Sequence, residues 1–205
     1  RFVDEDRDFD RLRKSFNTNV GIEWFVNETS SITNSFFYRN SDNESTNRTI
    51  SNRYADSRDA LTNASARFDD ETEDDVTYQY SLNYVKDFSD DGHKLMFDFQ
   101  IEDSSEDEFS NIIDTDTFPT EEVTDREQVR TIEDQGELLL QTDYVWPIDE
   151  DTQLEAGFRG IYKDTRTDYT VAALGENGMF IRNDSLSNIL NYGENVTAVY
   201  SQFGK

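Results

Sequence analysis

The chain has 205 residues, a formal net charge of −26, no cysteine and one histidine, His93. Those values exclude a disulfide framework, thiol zinc sites, a Cys nucleophile and a histidine metal cluster. A pI near 4.1 with no basic stripe argues against nucleic acid as a partner. An aromatic content of 13% is too high for the disordered acidic chain that charge alone suggests.

Taken in order, Arg1–Arg13 is charged and irregular and reads as the end of a loop. The chain begins RFVDED, without Met or a signal peptide, as a mature and truncated segment would. From Lys14 to Val26 the even positions carry Phe16, Val20, Ile22 and Trp24, and polar residues fill the odd ones. After a turn at Asn27–Ser30, Ile32, Asn34, Phe36 and Tyr38 take one face, which predicts a hairpin over about 14–40. The stretch of about 40–75 is polar throughout and is expected to be a long loop, with Arg48–Tyr54 and Ala60–Phe68 as weakly alternating extensions of the flanking strands.

Val76, Tyr78, Tyr80, Leu82 and Tyr84 then alternate with Thr77, Gln79, Ser81 and Asn83. A turn at Ser89–His93 leads into Leu95, Phe97, Phe99 and Ile101, giving a second hairpin over about 76–101. The acidic stretch of about 102–128 is expected to be a second long loop. A third hairpin, about 132–163, has Leu138, Leu140, Tyr144 and Trp146 on one face of its first arm. Leu154, Ala156, Phe158 and Tyr162 share a face of the second. A third loop is expected over about 164–190, with a tip at Gly175–Gly178. A final strand, about 192–203, carries Val196, Ala198 and Tyr200 on one face and leads to a turn at Gly204-Lys205.

Short and long connections thus alternate. Trp24, Phe88 and Trp146 lie beside the short turns, and Tyr38, Tyr78, Tyr162 and Tyr192 beside the long loops. Outer-membrane barrels have this asymmetry and these two aromatic girdles, whereas a soluble β-sandwich mixes its loop lengths. Strands of about 9–11 residues cross a bilayer without a long apolar run, so the low hydropathy of the chain agrees with a membrane fold.

Four pieces of the chain resemble the barrel region of TonB-dependent outer-membrane receptors of the Bacteroidota type. LLLQTDYVWPIDEDTQLEAGFRGIYK is similar to that family's "LQxDYxxP…LExGxK" hairpin. NVGIEWFVNETSSITNSFFYRNSD, YQYSLNYVKDFSDDGHKLMFDFQ and LNYGENVTAVYSQFGK resemble three further strand motifs, in the family's order. Glu23 replaces the usual Asp and Val196 the usual Ile. The resemblance implies an all-β, antiparallel transmembrane barrel segment of about seven strands, from a larger barrel of about 22. It implies a single partial barrel domain over 1–205 in the bacterial outer membrane. It further implies import of a nutrient ligand, energised by a TonB complex through a plug region that this stretch lacks.

Catalysis is not expected. Glu155 and Asp143 are paired carboxylates of a kind that can act as acid and base, but they read as water-facing strand residues. The residues expected to meet a ligand are Gln79, Glu137, Gln141 and Arg159, with the loops. No organic cofactor is implied. Asp69–Asp75 and Glu102–Glu108 are candidate stretches for loop-bound Ca²⁺, a hard cation that favours carboxylates, with Asp69, Asp70, Glu71, Asp74 and Asp75 as the weak candidate ligands, although the spacing does not match an EF-hand loop. Outer-membrane lipid and lipopolysaccharide are expected partners, the latter through divalent cations bridging loop carboxylates. Two other readings stay open: a barrel that anchors or docks a surface lipoprotein or secretion assembly, and a soluble acidic adhesin-like β domain.

Overall fold

Strand geometry persists through the polar stretches as well as the apolar ones. The computed structural model describes residues 2–89 and 92–204, and these contain eight antiparallel strands and no helix. They are β1 (Phe2–Asn27), β2 (Ser30–Tyr54), β3 (Leu61–Asp87), β4 (Lys94–Phe118), β5 (Glu122–Asp149), β6 (Thr152–Leu174), β7 (Phe180–Arg182) and β8 (Asn188–Gly204). Neighbours in sequence pair from β1 to β6, and β8 then pairs with β6 while β7 caps the far end of β6. The sheet is open, since β1 and β8 do not pair with each other among the described residues. The expected turn at Ser89–His93 lies partly outside those residues, as does the one at Gly204-Lys205.

The expected long loops are corrected by this arrangement. Residues 40–75, 102–128 and 164–190 are mostly strand, and the chain reverses at 55–60, 119–121 and 175–187. Backbone ladders do not need an apolar face, and directly opposed polar side chains bond across the strands. Ser105 donates to Asp134 at 2.9 Å, Gln128 to Asn111 at 2.9 Å and Thr167 to Glu133 at 3.1 Å. Arg67 pairs with Asp114 at 2.9 Å. Such pairs contribute roughly 0.2–1 kcal/mol each. At about 3.3 Å per residue a 25-residue strand such as β2 spans about 80 Å, well beyond the 9–11 residues that cross a bilayer. More than half of each long strand therefore projects past the apolar band.

Register assigns the two faces. Val20, Phe36, Tyr80, Ile101, Leu138 and Tyr162 are successive partners across six strands, so they share the apolar face. On β1 this face is apolar from Phe16 to Trp24, and on β5 from Leu138 to Trp146. Because Leu138 is level with Val20 and not with Phe16, the band drifts four residues over four strand steps. One residue of stagger per strand, with strands about 4.8 Å apart, gives a tilt of about 35°, which is the barrel range. Asn34 lies within the band, and the Tyr80 hydroxyl donates to its Oδ1 at 2.6 Å. That bond satisfies an amide oxygen that hydrocarbon would otherwise leave unpaired.

Val196, Ala198 and Tyr200 share one face of β8, as expected; they pair with Ile161, Arg159 and Gly157, so it is the polar face, and Val199 and Phe203 carry the apolar one. One side-chain placement differs from the sequence reading. Tyr192 pairs with Thr165 and also lies on the polar face, outside any girdle. The Tyr38 and Tyr78 rings do meet at one edge of the band, 5.2 Å apart, with Phe16 6.3 Å from Tyr38.

Candidate functional site

The polar face holds the side chains with chemical capacity. Period-two geometry sends every second residue there, and register aligns them in rows. One row is Asn83, Asp98, Gln141 and Arg159; another, beyond the row of Ser81, Gln100, Leu139 and Ile161, is Gln79, Glu102, Glu137 and Lys163. All four residues expected to meet a ligand, Gln79, Glu137, Gln141 and Arg159, thus lie on one face at the level of the apolar band. Asn83 donates to Asp98 at 2.7 Å, and Gln141 to Asp143 at 2.8 Å. Arg159 is exposed and forms no ion pair among the described residues, which leaves its guanidinium fork available. Asp143 and Glu155 are each held by a glutamine of their own strand, Gln141 and Gln153.

Beyond the band the same face becomes strongly acidic. The weak cation candidates do not converge: the extended backbone sends Asp69, Glu71 and Asp75 to the polar face, and Asp70 and Asp74 to the other. Register instead brings Glu73 and Asp75 of β3 beside Glu106 of β4, with one carboxylate oxygen of each within 4.8 Å of the others. Glu108 and Glu133 lie alongside, opposite Glu73 and Glu106. From the β1 and β2 side Arg11 reaches Glu73 at 3.7 Å, and Arg13 and Arg39 reach Asp75 at 3.9 and 3.3 Å. Glu106 belongs to an acidic run visible in the sequence, but Glu133 was not legible as a neighbour, because only the register across β3, β4 and β5 sets them together. Small residues on this face, Ser41, Asn43, Ser110, Ile112 and Val171, are buried by their neighbours. That is the crowding expected where side chains converge.

Burial raises the pKa of Glu106, and the Asp75, Glu73, Glu108 and Glu133 carboxylates around it raise it further. Glu108 and Asp69 are raised in the same way, by burial and then by Glu71 and other carboxylates. On the opposite face Arg130 grips Asp107 through two bonds, of 2.9 and 2.6 Å, and lowers its pKa. A carboxylate with a raised folded-state pKa binds its proton more tightly when folded, so the fold gains stability as pH falls through that value. The projecting sheet should therefore become more stable as pH drops from neutral towards the usual carboxylate range. Below that range the Asp107–Arg130 contribution is lost in turn. Amide hydrogen exchange across β3 and β4 at stepped pH checks this, and protection that falls monotonically on acidification would contradict it.

His93 belongs to an aromatic group at the turn end. Its Nε2 and the Tyr144 hydroxyl share a hydrogen bond of 2.7 Å, and its ring lies 4.6 Å from Phe88. At the far end Gly178, with a φ of 75°, donates to the Gly175 carbonyl, so the expected tip there is a tight turn.

Residues 86–205 match the sequence profile of the outer membrane protein beta-barrel family. No curated protein sequence matches the chain. Among solved structures, the ferric yersiniabactin uptake receptor FyuA from Yersinia pestis aligns with 9% identity and a TM-score of 0.26. The alignment covers 94% of this chain and 42% of that one, so the chain spans less than half the length of that receptor.

Proposed function

We propose that this chain, which belongs to the outer membrane protein beta-barrel family, forms an arc in the wall of a nutrient importer. Family membership puts it in the bacterial outer membrane. The observation that carries the import reading is the face behind the apolar band, where register aligns Gln79 with Glu137 in one row and Gln141 with Arg159 in another. A wall that is wet on one side and greasy on the other lines an aqueous interior. Unpaired edges on β1 and β8 are untenable in lipid, so further strands close the barrel around that interior.

In this reading the turns at 28–29 and 150–151 face the periplasm, and the projecting halves of the strands stand outside the cell. Arg159 and its row bind the cargo weakly as it passes, and the wall performs no covalent chemistry. A TonB complex supplies energy through a plug. The four sequence motifs support that part of the reading. A docking role is favoured by one separate observation, the length of the strands beyond the band, which gives a surface lipoprotein a broad acidic face to rest on.

Growth of the native bacterium on single limiting nutrients separates the two. Loss of the gene and loss of TonB should abolish growth on the same nutrient, and Arg159→Ala should slow its uptake while the barrel still assembles. Uptake that is intact in the deletion strain, with a surface lipoprotein released from the cell, would replace import with docking.

A further inference from the structure

We propose that Arg159 anchors a subsite for cargo that carries a carboxylate beside an apolar or aromatic group, a step that rests on the import reading.

The face behind the band changes character across the sheet. On β3 to β5 its rows hold Asn83, Asp98 and Gln141, or Ser81 and Gln100. Towards β8 they become apolar: Leu139, Ile161 and Val196 are successive partners, and Ala198 and Tyr200 continue along β8. Single apolar side chains on a wet surface are ordinary, but a contiguous group rimmed by polar residues marks a place where something binds. Val196 and Tyr200 are 45% and 42% exposed, so their neighbours leave them open to a ligand. The Tyr200 ring fills the space that a side chain at Gly157 would take, which makes that end of the patch aromatic.

Arg159 stands inside this patch. It is the cross-strand partner of Ala198, and Gly157 and Ile161 flank it on the same face of β6. Between the rows of Lys94 and Lys163 it is the only cation on this face among the described residues. Asp98 and Asp143, the nearest acidic residues of its own row and the next, accept from Asn83 and Gln141 instead. The guanidinium is therefore left without an ion pair, and its planar fork matches a carboxylate bidentately. With Asp98 and Asp143 close by, a singly charged carboxylate meets less repulsion than a doubly charged phosphate. A mainly apolar lining with one placed polar group to fix orientation is the usual composition of a small-molecule site.

The test is thiol labelling, since these 205 residues contain no cysteine. Ala198→Cys in the full-length protein, reconstituted in phospholipid vesicles, places a thiol opposite Arg159. A membrane-impermeant maleimide should label it, as read by peptide mass, whereas Leu140→Cys on the lipid face should stay unlabelled. Benzoate is the probe. At millimolar concentration it should slow labelling of Ala198→Cys several-fold. Benzamide, which lacks the charge, and acetate, which lacks the ring, should slow it less. Adding Arg159→Gln should remove the protection, and adding Arg159→Lys should keep part of it. No protection by benzoate, or equal protection with Arg159→Gln, would overturn the subsite. A thiol at 198 no more reactive than one at 140 would overturn it too, because another segment then covers the patch. Stronger protection by phenyl phosphate would overturn the choice of a carboxylate. The growth assay scores import separately. Gene-dependent growth without protection by benzoate sinks the subsite alone, and protection without gene-dependent growth sinks import alone.

Discussion

Leu140→Arg should destabilise the assembled barrel by about 1–4 kcal/mol, the cost of a charge inside the apolar band on the lipid face, which grows towards the midplane. Gln141→Arg, one residue further on, should cost less than about 1 kcal/mol, as most solvated substitutions do. Leu140 is level with Phe99 and Gly160 on the apolar face, three alternate positions from the end of the band at Trp146 and one from the other end at Leu138. Gln141 is level with Asp98 and Arg159, so a new guanidinium there stays in water among carboxylates. Denaturant unfolding of the full-length protein in phospholipid vesicles measures both. Similar losses from the two variants would mean that the faces are not sorted between lipid and water.

The sorting of faces was legible in sequence wherever one face is apolar. Val76–Tyr84 alternates cleanly and Leu138–Trp146 does so apart from Leu139 and Val145, and their register partners are the ones alternation implies. Where both faces are wet, alternation has nothing to contrast. Ser41–Asn47 and Asp103–Asp116 thus read as loops although they are paired throughout, whereas Arg48–Tyr54 extends its strand as its weak alternation implies. Pairing there is set by neighbouring strands and by bonds such as Arg67–Asp114, which no single segment displays. The same limit hid the carboxylate group. Contiguity drew attention to Asp69–Asp75 and Glu102–Glu108 as separate runs, and only register shows that Glu73 and Asp75 of the one converge with Glu106 of the other.

β8 shows a different limit. Its polar face carries Val196, Ala198 and Tyr200, which are more apolar than Asn195, Thr197 and Ser201 opposite them in parity. Hydropathy alone therefore does not say which face of β8 is the apolar one, and the pairing of Val199 with Phe158 and of Phe203 with Leu154 decides it. A strand whose two faces compete in this way is weakly specified by pattern, and a slip of one residue would exchange them. Some specific contact has to hold it.

Gly157 supplies that contact. It pairs directly with Tyr200, and the tyrosine ring lies in the space that a Cβ at 157 would occupy. Gly157→Ala should thus displace the ring and destabilise the protein by about 1–3 kcal/mol, the usual cost of overpacking. Tyr200→Ala removes the obstacle, so adding Gly157→Ala to it should be neutral or slightly stabilising, since glycine weakens a strand interior. The two changes are then coupled by about 0.5–3 kcal/mol in a double-mutant cycle, measured by denaturant unfolding. Strict additivity would mean that the ring does not depend on the missing Cβ. Because the ring can lie over a glycine only in this register, Gly157→Ala alone should also loosen β8. Faster amide exchange along Asn188–Gly204 in that variant, with β1–β4 unaffected, distinguishes loss of register from general destabilisation.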